Sequence, residues 1–145
     1  MATDLIAKAS EVIEAPVQNV WDALVDPKAI KQYMFGSTVT SEWRKGSPIS
    51  WKGEWQGKAY EDKGVILEIE PGRTLKYSHF SPLSGQPDEP ENYHNVTIEL
   101  VEQDHATRVS LSQDNNPDEE AREHSAKNWE TMLTGLKKYV EGQTV

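Results

Sequence analysis

Residues 116–142 read NPDEEAREHSAKNWETMLTGLKKYVEG, a pattern that predicts a long, capped amphipathic helix. Asn116 is a suitable helix cap, Pro117 fits the first helical position, and Glu119 completes a capping box. The residues that follow at three- and four-residue spacing share one helical face: Ser125, Trp129, Met132, Leu133, Leu136 and Val140. Gly142 is expected to end the helix. A helix with such a face needs a large apolar partner.

That partner is predicted to be a β-sheet, because the sequence pattern changes to a period of two from Ser37 onward. The predicted strands, including one that precedes Ser37, cover residues 5–14, 38–43, 49–55, 58–70, 74–80, 96–100 and 107–113. In the strand 58–70, Val65, Leu67 and Ile69 are expected to share the buried face, with a bulge at Gly64.

Two short helices are predicted between the first and second strands. Residues 17–25 have helical spacing after Pro16, and Asp26-Pro27 ends that helix. Residues 28–34 form the second helix, which Gly36 closes. The chain is therefore predicted to be a single α+β domain over residues 1–145. In it, a curved sheet of about seven antiparallel strands packs around a long C-terminal helix.

Composition restricts the classes of function. The chain has 24 acidic and 15 basic residues and a formal charge of −9, which disfavours binding to nucleic acids or anionic membranes. The absence of cysteine excludes disulfides and thiolate chemistry. The N-terminus lacks the basic start and apolar core of a signal peptide, and no apolar stretch is long enough to span a membrane. A cytoplasmic location is therefore expected.

Residues 81–92, SPLSGQPDEPEN, follow neither a helical nor a strand period and are predicted to form a long loop. Extra residues between sheet strands are typical of a binding loop, a lid or simple disorder. The composition does not choose among these three alternatives.

The faces that are predicted to point inward carry large rings with polar tips. A curved sheet and one helix touch at the ends of the sheet and separate in the middle, so side chains or a ligand must fill the gap. The candidate ligand-binding residues are Met34, Phe35, Trp51, Trp55, Tyr77, His79, Tyr93, Trp129, Met132, Leu133 and Leu136. Such a lining suits a small, mostly apolar molecule. The alternative is that the same rings form a filled core.

Two glycines are expected to serve packing. A glycine inside a helix costs about 1 kcal/mol relative to alanine, so Gly135 is expected to allow a close approach to the sheet. Gly53, between Trp51 and Trp55, is expected to leave room for a ring, a ligand or the helix.

The four histidines lie on separate predicted elements and lack the spacing of metal ligands, so no metal site is expected. His105 lies in a turn and His124 on the charged start of the last helix, where both are expected to be solvated. His79 and His94 lie near the ends of the long loop and are better placed to reach a pocket mouth. No nucleophile or phosphate-loop motif occurs, and no cofactor is expected.

Four stretches carry a resemblance to a known family: IEAPVQNVWDALVDP at 13–27, the region 43–55, ENYHNVTIEL at 91–100 and NWETMLTGLKK at 128–138. On these stretches the chain resembles the activator of heat-shock-protein-90 ATPase-like family. That family lies in the START-like superfamily, which also includes polyketide cyclase/dehydrase-like, lipid-transport-like and pollen-allergen-like proteins. The resemblance implies a helix-grip fold, in which the sheet wraps around the last helix.

The resemblance implies three kinds of function. The first is binding of a small apolar, aromatic or lipid-like molecule between the last helix and the sheet. The second is association with a heat-shock chaperone. The family's activators carry an additional N-terminal domain for that contact, and 145 residues leave no room for it, so this activity is expected to transfer poorly. The third is cyclase- or dehydrase-like catalysis in the same cavity, with Tyr77, His79 and Tyr93 as candidate groups.

Overall fold

A computed structural model describes residues 5–34, 36–55, 57–81, 87–116 and 118–143. The strands are β1 (Leu5–Ile13), β2 (Thr38–Ser41), β3 (Pro48–Trp55), β4 (Lys58–Glu70), β5 (Thr74–His79), β6 (His94–Gln103) and β7 (Ala106–Asn116). The helices are α1 (Val17–Leu24), α2 (Pro27–Tyr33) and α3 (Glu119–Gln143). The predicted α+β class and order of elements are confirmed. Within the described ranges, no helix has both the length and the apolar character needed to cross a membrane.

The seven strands form one curved, open sheet with the order β1-β7-β6-β5-β4-β3-β2. Every neighbouring pair is antiparallel. The first strand therefore pairs with the last one, while β2 forms the opposite edge. The helices cover one face of this sheet, which we call the inner face. The predicted helix-grip arrangement is confirmed.

The core lies between α3 and the inner face. The four predicted apolar residues in the second half of α3 are at most 1% exposed: Met132, Leu133, Leu136 and Val140. Ser125 and Trp129, in the first half, are half-buried. The predicted face of the helix is therefore confirmed, and the helix is packed more tightly toward its C-terminus.

The start of α3 differs from the prediction. Asp118 is the residue that caps the helix, because its Oδ1 accepts a hydrogen bond from the backbone N–H of Ala121 at 2.8 Å. Asn116 instead belongs to β7, where its Nδ2 donates to the carbonyl of Leu5 at 2.8 Å and helps close the β1–β7 pair. Pro117 lies outside the described residues.

Two further details of α3 correct the prediction. The Glu119 carboxylate accepts from Arg122 Nε at 2.7 Å rather than completing a capping box. The helix also continues through Gly142 to Gln143, so Gly142 does not end it.

The facing of β4 was predicted wrongly. Ile66 pairs with Tyr77 and Glu68 pairs with Lys76, so Leu67 is an extra residue and forms a bulge. Because a bulge reverses the alternation of side chains, Ile66 rather than Val65 points inward. Ile66 is fully buried, whereas Val65 is 39% exposed.

Gly135 and Gly53 serve packing, as predicted, but Gly135 has a different partner. A Cβ on Gly135 would lie 3.2 Å from Cβ of Tyr33, so the glycine lets α3 approach α2 rather than the sheet. A Cβ on Gly53 would lie 2.5 Å from the hydroxyl of Tyr60, whose ring covers the glycine. The Tyr60 hydroxyl is 2.6 Å from Ser37 Oγ, which fixes the ring in this place.

A polar network joins the C-terminal half of α3 to the end of β1. Lys137 Nζ donates to the carbonyl of Val12 at 2.7 Å and to Glu141 Oε2 at 2.6 Å. The same Glu141 oxygen accepts from the backbone N–H of Glu14 at 2.9 Å. The hydrogen bond from Lys137 and, to a smaller extent, the one from the Glu14 backbone hold the pKa of the Glu141 carboxyl below its ordinary value of 4.5.

We expect Glu141→Gln to lower the melting temperature at pH 7 by about 1–2 °C, since the pair is partly solvent-exposed. A carboxyl whose pKa is lower in the folded protein than in the unfolded chain stabilises the fold when the pH is above the unfolded-state pKa. This contribution is lost as the pH falls through the folded-state pKa. The difference between wild type and variant should therefore shrink below about pH 4.5 in melting curves recorded from pH 7 to pH 3. A difference that grows toward acid pH would contradict this assignment.

Candidate functional site

Trp51 lies on β3, next to the edge strand β2, and the candidate site is built around its ring. Trp55 pairs with Lys58 at the end of the β3–β4 hairpin, and this register places Trp51 opposite Asp62. Trp51 and Asp62 both point to the inner face. Trp51 is 4% exposed and lies beneath the helices.

Two rings of β5 contact Trp51. The Tyr77 ring lies 5.2 Å from the Trp51 ring at 47°, and the His79 ring lies 5.0 Å from it in an edge-on arrangement. Because Tyr77 and His79 are two positions apart on β5, their side chains point to the same face of the sheet, the inner one. Burial raises the pKa of the Tyr77 phenol well above its usual range, so its hydroxyl keeps its proton.

A small apolar cavity lies between these rings and α2. Its volume is about 20 Å³. Its described lining is Leu24, Ile30, Tyr33, Met34, Trp43, Ile49, Trp51, Leu75, Tyr77, Ile98 and Met132. A space of this size holds about one water molecule. In this conformation the rings therefore fill most of the interior, and a larger molecule enters only if side chains move.

α2 closes this cavity from above. Tyr33 is 5% exposed and its hydroxyl donates to the carbonyl of Ala23 at 2.9 Å, which ties α2 to α1. Met34 follows the last residue of α2 and is only half-buried. The unbranched thioether of methionine adapts readily to its surroundings, so Met34 is the most displaceable part of this cover.

Polar side chains continue the inner face toward the end of the sheet where β5 and β6 meet. We call Asp62, His79, His94 and Gln113 the polar row; they lie on the adjacent strands β4, β5, β6 and β7. His79 and His94 are cross-strand partners with ring centres 6.5 Å apart. The side chains of His79 and Asp62 are 25% and 17% exposed, so solvent reaches this end of the inner face.

Hydrogen bonds orient three members of the polar row. His79 Nε2 donates to Asp62 Oδ2 at 3.0 Å. His94 Nδ1 donates to the carbonyl of Asp114 at 2.9 Å. Gln113 Oε1 accepts from the indole N–H of Trp129, which brings the first half of α3 over the row. These side chains therefore face the space between sheet and helix in fixed orientations.

The other oxygen of Asp62 is the exception. Asp62 Oδ1 is buried, and no described residue donates a hydrogen bond to it. A buried acceptor without a donor is costly, and most such groups in proteins are satisfied. Asp62 Oδ1 is therefore an acceptor that a donor from a bound molecule would satisfy.

The structure brings together only part of the predicted ligand-binding set. Met34, Trp51, Tyr77 and Met132 line the small cavity, and His79 contacts Trp51. Trp129 lies over Gln113, while Leu133 and Leu136 are fully buried in the core. Phe35 and the side chain of Trp55 lie outside the described part of the chain. Ligand contact by any of these residues stays a prediction.

Tyr93 is placed apart from this group. Its ring stacks on Phe80 at 5.1 Å, and Phe80 pairs with Lys63 on the outer face of the sheet. The Tyr93 hydroxyl donates to Asp88 Oδ1 at 2.6 Å, and Asp88 also forms an ion pair with Lys63. The hydrogen bond from Lys63 and, to a smaller extent, the one from Tyr93 lower the pKa of the Asp88 carboxyl. Tyr93 therefore does not converge with Tyr77 and His79.

The long loop 81–92 is described only at its ends. Residues 82–86 lie outside the described residues, so the choice among a binding loop, a lid and disorder stays a prediction. Its last part forms a short 3-10 turn at Pro90–Asn92, and Asn92 Nδ2 donates to the carbonyl of Pro87 at 2.8 Å. Together with Tyr93 and Asp88, this fixes the end of the loop against the outer face.

Sequence reasoning missed Asp62 and did not include Gln113 among the site residues. The signal for Asp62 was present, because the predicted two-residue turn at 56–57 already sets the hairpin register and places Asp62 opposite Trp51. Gln113 shares a face with Thr107, Val109 and Leu111, which the alternation of β7 also predicts. Among the residues that the structure describes, no three His, Asp or Glu side chains are grouped as a metal site would require.

Open grooves lie elsewhere on the described surface, and two of them are large. One, of about 590 Å³, lies on the outer face of the sheet and includes Lys8, Ser10, Ser110 and Ser112. The other, of about 610 Å³, lies along the exposed side of α3 and includes Lys127 and Lys138. Neither groove includes the polar row or the Trp51 rings.

Comparisons with known proteins agree with this fold. ChR145 of Cytophaga hutchinsonii is 56% identical to the chain, with a TM-score of 0.86 and coverage of 99% of both chains. CV1439 of Chromobacterium violaceum is 23% identical, with a TM-score of 0.80 and coverage of 94% of this chain and 96% of that one.

The Aha1 dimer of Colwellia psychrerythraea has the same fold at 18% identity, with a TM-score of 0.73 and coverage of 94% and 96%. No curated protein matches the chain significantly. The family model described as Activator of Hsp90 ATPase homolog 1-like protein matches residues 14–141. That match spans the two short helices, the sheet from β2 onward and nearly all of α3. The chain therefore belongs to the Activator of Hsp90 ATPase homolog 1-like protein family.

Proposed function

We propose that the protein binds a small, mostly apolar molecule on the inner face of the sheet, beneath α2 and the middle of α3. The observation that carries this proposal is the unfilled space beside Trp51, which lies under the half-buried Met34. A flat aromatic wall, a residual void and a displaceable cover favour an apolar guest. The family membership is consistent with a general binding role of this kind.

Entry of a ligand requires the cover to move. The present space of about 20 Å³ is far below the several hundred Å³ of typical ligand pockets. Displacement of Met34 toward solvent would extend the space without disturbing Leu133 or Leu136, which are fully buried. Binding is therefore expected to follow or select a more open position of the α2 end.

The expected affinity is modest. Burial of about 200 Å² of apolar ligand surface at about 25 cal/mol/Å² gives roughly 5 kcal/mol before association costs. Taken alone, about 5 kcal/mol corresponds to a dissociation constant of about 0.2 mM, and the association costs weaken binding further. Tighter binding needs polar contacts in addition to burial.

Met34→Ala tests the proposal, with Met34→Leu as a control of nearly equal volume. We expect naphthalene to bind Met34→Ala at least about threefold more tightly than wild type, because the truncation enlarges the space beside Trp51. The control should bind like wild type. Titrations followed by backbone amide and tryptophan indole NMR shifts report both affinity and location, and the indole of Trp51 should shift.

Two outcomes would contradict the proposal. One is the absence of naphthalene-induced shifts in all three proteins. The other is a set of shifts confined to the outer-face groove at Ser110 and Ser112 or to the α3 groove at Lys127 and Lys138. Either result would leave the inner face as a filled core.

Chaperone association is the second candidate function, and the family match favours it. The purified chain would be added to a ninety-kilodalton heat-shock chaperone, and the rate of ATP hydrolysis measured. Stimulation that saturates with added protein supports this role. An unchanged rate, with naphthalene binding intact, would separate the two candidates and leave ligand binding alone.

A further inference from the structure

We infer that the ligand of the inner face carries a hydroxyl or amine hydrogen-bond donor, and that Asp62 binds this donor with His79 and His94 beside it. This inference rests on the proposed function and names the class of ligand. It follows from the unsatisfied oxygen of Asp62, the orientation of the two histidines and the position of Trp51.

The first step concerns Asp62 itself. One carboxylate oxygen accepts from His79 Nε2 at 3.0 Å, while Oδ1 is buried without a donor from any described residue. An ionised carboxylate can only accept hydrogen bonds. A ligand that brings an O–H or N–H group to Oδ1 therefore satisfies it, whereas an ether or hydrocarbon at the same place leaves it unsatisfied.

The second step concerns the histidines. His94 Nδ1 donates to a backbone carbonyl, so Nε2 of the neutral ring is an acceptor. His79 Nε2 donates to Asp62, so Nδ1 of the neutral ring is likewise an acceptor. With the rings neutral, these two nitrogens and Asp62 Oδ1 are all acceptors, so a ligand that meets them is selected for donors over acceptors.

The third step places the apolar part of the ligand. Asp62 is the cross-strand partner of Trp51, and Tyr77 and His79 contact the ring of Trp51. A donor held at Asp62 Oδ1 therefore puts the attached carbon skeleton next to the Trp51 ring. The same molecule reaches the aromatic wall and the carboxylate together.

The experiment compares 2-naphthol and 2-naphthylmethylamine, which carry donors, with 2-methoxynaphthalene, which does not. We expect wild type to bind the two donors at least about tenfold more tightly than the ether, because a hydrogen bond to a charged group is involved. In Asp62→Asn this preference should fall below about threefold. Asp104→Asn is the control, since Asp104 lies in an exposed turn at φ 57°, which asparagine tolerates. It should keep the wild-type preference.

Equal binding of the three probes to wild type would overturn this inference and leave the proposed function standing. Preference for donors that persists in Asp62→Asn would also overturn it, because the donor would then be recognised elsewhere. Failure of all three probes to bind would contradict the proposed function as well. If Asp62→Asn does not fold, imidazole ¹⁵N shifts of His79 and His94 in wild type decide: a change with 2-naphthol but not with the ether supports the inference, and no change overturns it.

Discussion

Replacing Gly64 by alanine is expected to lower the free energy of unfolding by about 3–5 kcal/mol, the largest effect of any substitution considered for this chain. A Cβ at this position would lie 1.7 Å from the backbone carbonyl oxygen of Ser78 and 2.6 Å from its carbonyl carbon. The clash is with main chain, so a side-chain rotation cannot relieve it. β4 would have to move away from β5.

The movement would break specific bonds. Val65 N–H donates to Ser78 Oγ at 3.0 Å, and Lys63 and Phe80 exchange backbone hydrogen bonds at 3.0 and 2.8 Å. The same shift would separate Asp62 from His79. Because small domains are stable by only about 5–15 kcal/mol, Gly64→Ala should leave a barely folded protein.

Gly142→Ala is the matched control. Nothing lies within 4 Å of the Cβ that this substitution adds, and the residue is helical. Alanine is favoured over glycine in helices by up to about 1 kcal/mol, so the control should be neutral or slightly more stable. Urea unfolding followed by far-ultraviolet circular dichroism measures both variants. Equal midpoints for Gly64→Ala and wild type would show that the strands do not approach so closely.

Leu136→Ala is expected to cost about 3 kcal/mol of unfolding free energy. Leu136 is fully buried where α3 packs on the sheet, and removal of its side chain leaves a cavity as well as losing apolar contact. The loss should appear as a lower urea midpoint with an unchanged slope, because the folded state keeps its compactness.

The control for Leu136→Ala is Leu67→Ala. Leu67 is the extra residue of the β4 bulge and is only partly buried, so the same chemical change should cost less than half as much. Similar losses at the two positions would contradict the placement of the core between α3 and the inner face.

Most of the fold follows from local patterns in the sequence. Strong periodicity fixed the face of α3, since Met132, Leu133, Leu136 and Val140 could be buried together only on a helix. The order of strands and helices followed from turns and changes of period. Errors arose where an interaction distant in sequence changed a local preference.

The cap of α3 is one such case. Asn116 and Asp118 are both good caps, and local chemistry does not choose between them. Asn116 is used by β7 because its amide bonds the carbonyl of Leu5, 111 positions away. The bulge at Leu67 is another case, because it depends on how β4 pairs with β5 rather than on the composition of β4.

The candidate site was predictable in part. The inward facing of Trp51, Tyr77 and His79 was predictable, because strand alternation and aromatic side chains are both visible in the sequence. Tyr93 was predicted to belong to the same site as Tyr77 and His79. Its neighbour His94 faces inward, but Tyr93 itself stacks on Phe80 at the outer face. The volume left between the rings could not be derived, because it depends on how tightly α2 closes over Trp51.

The pairing of β1 with β7 also has a consequence for how the protein is made. Thr107 donates to the carbonyl of Ala15 across 92 residues of sequence, so β1 has no sheet partner until nearly the whole chain exists. At roughly 5–20 residues per second of translation, the nascent N-terminal strand waits about 5–20 seconds on the ribosome. Contacts so distant in sequence also slow refolding toward the millisecond-to-second range. Synthesis of β7, rather than of β1, thus sets when this sheet closes.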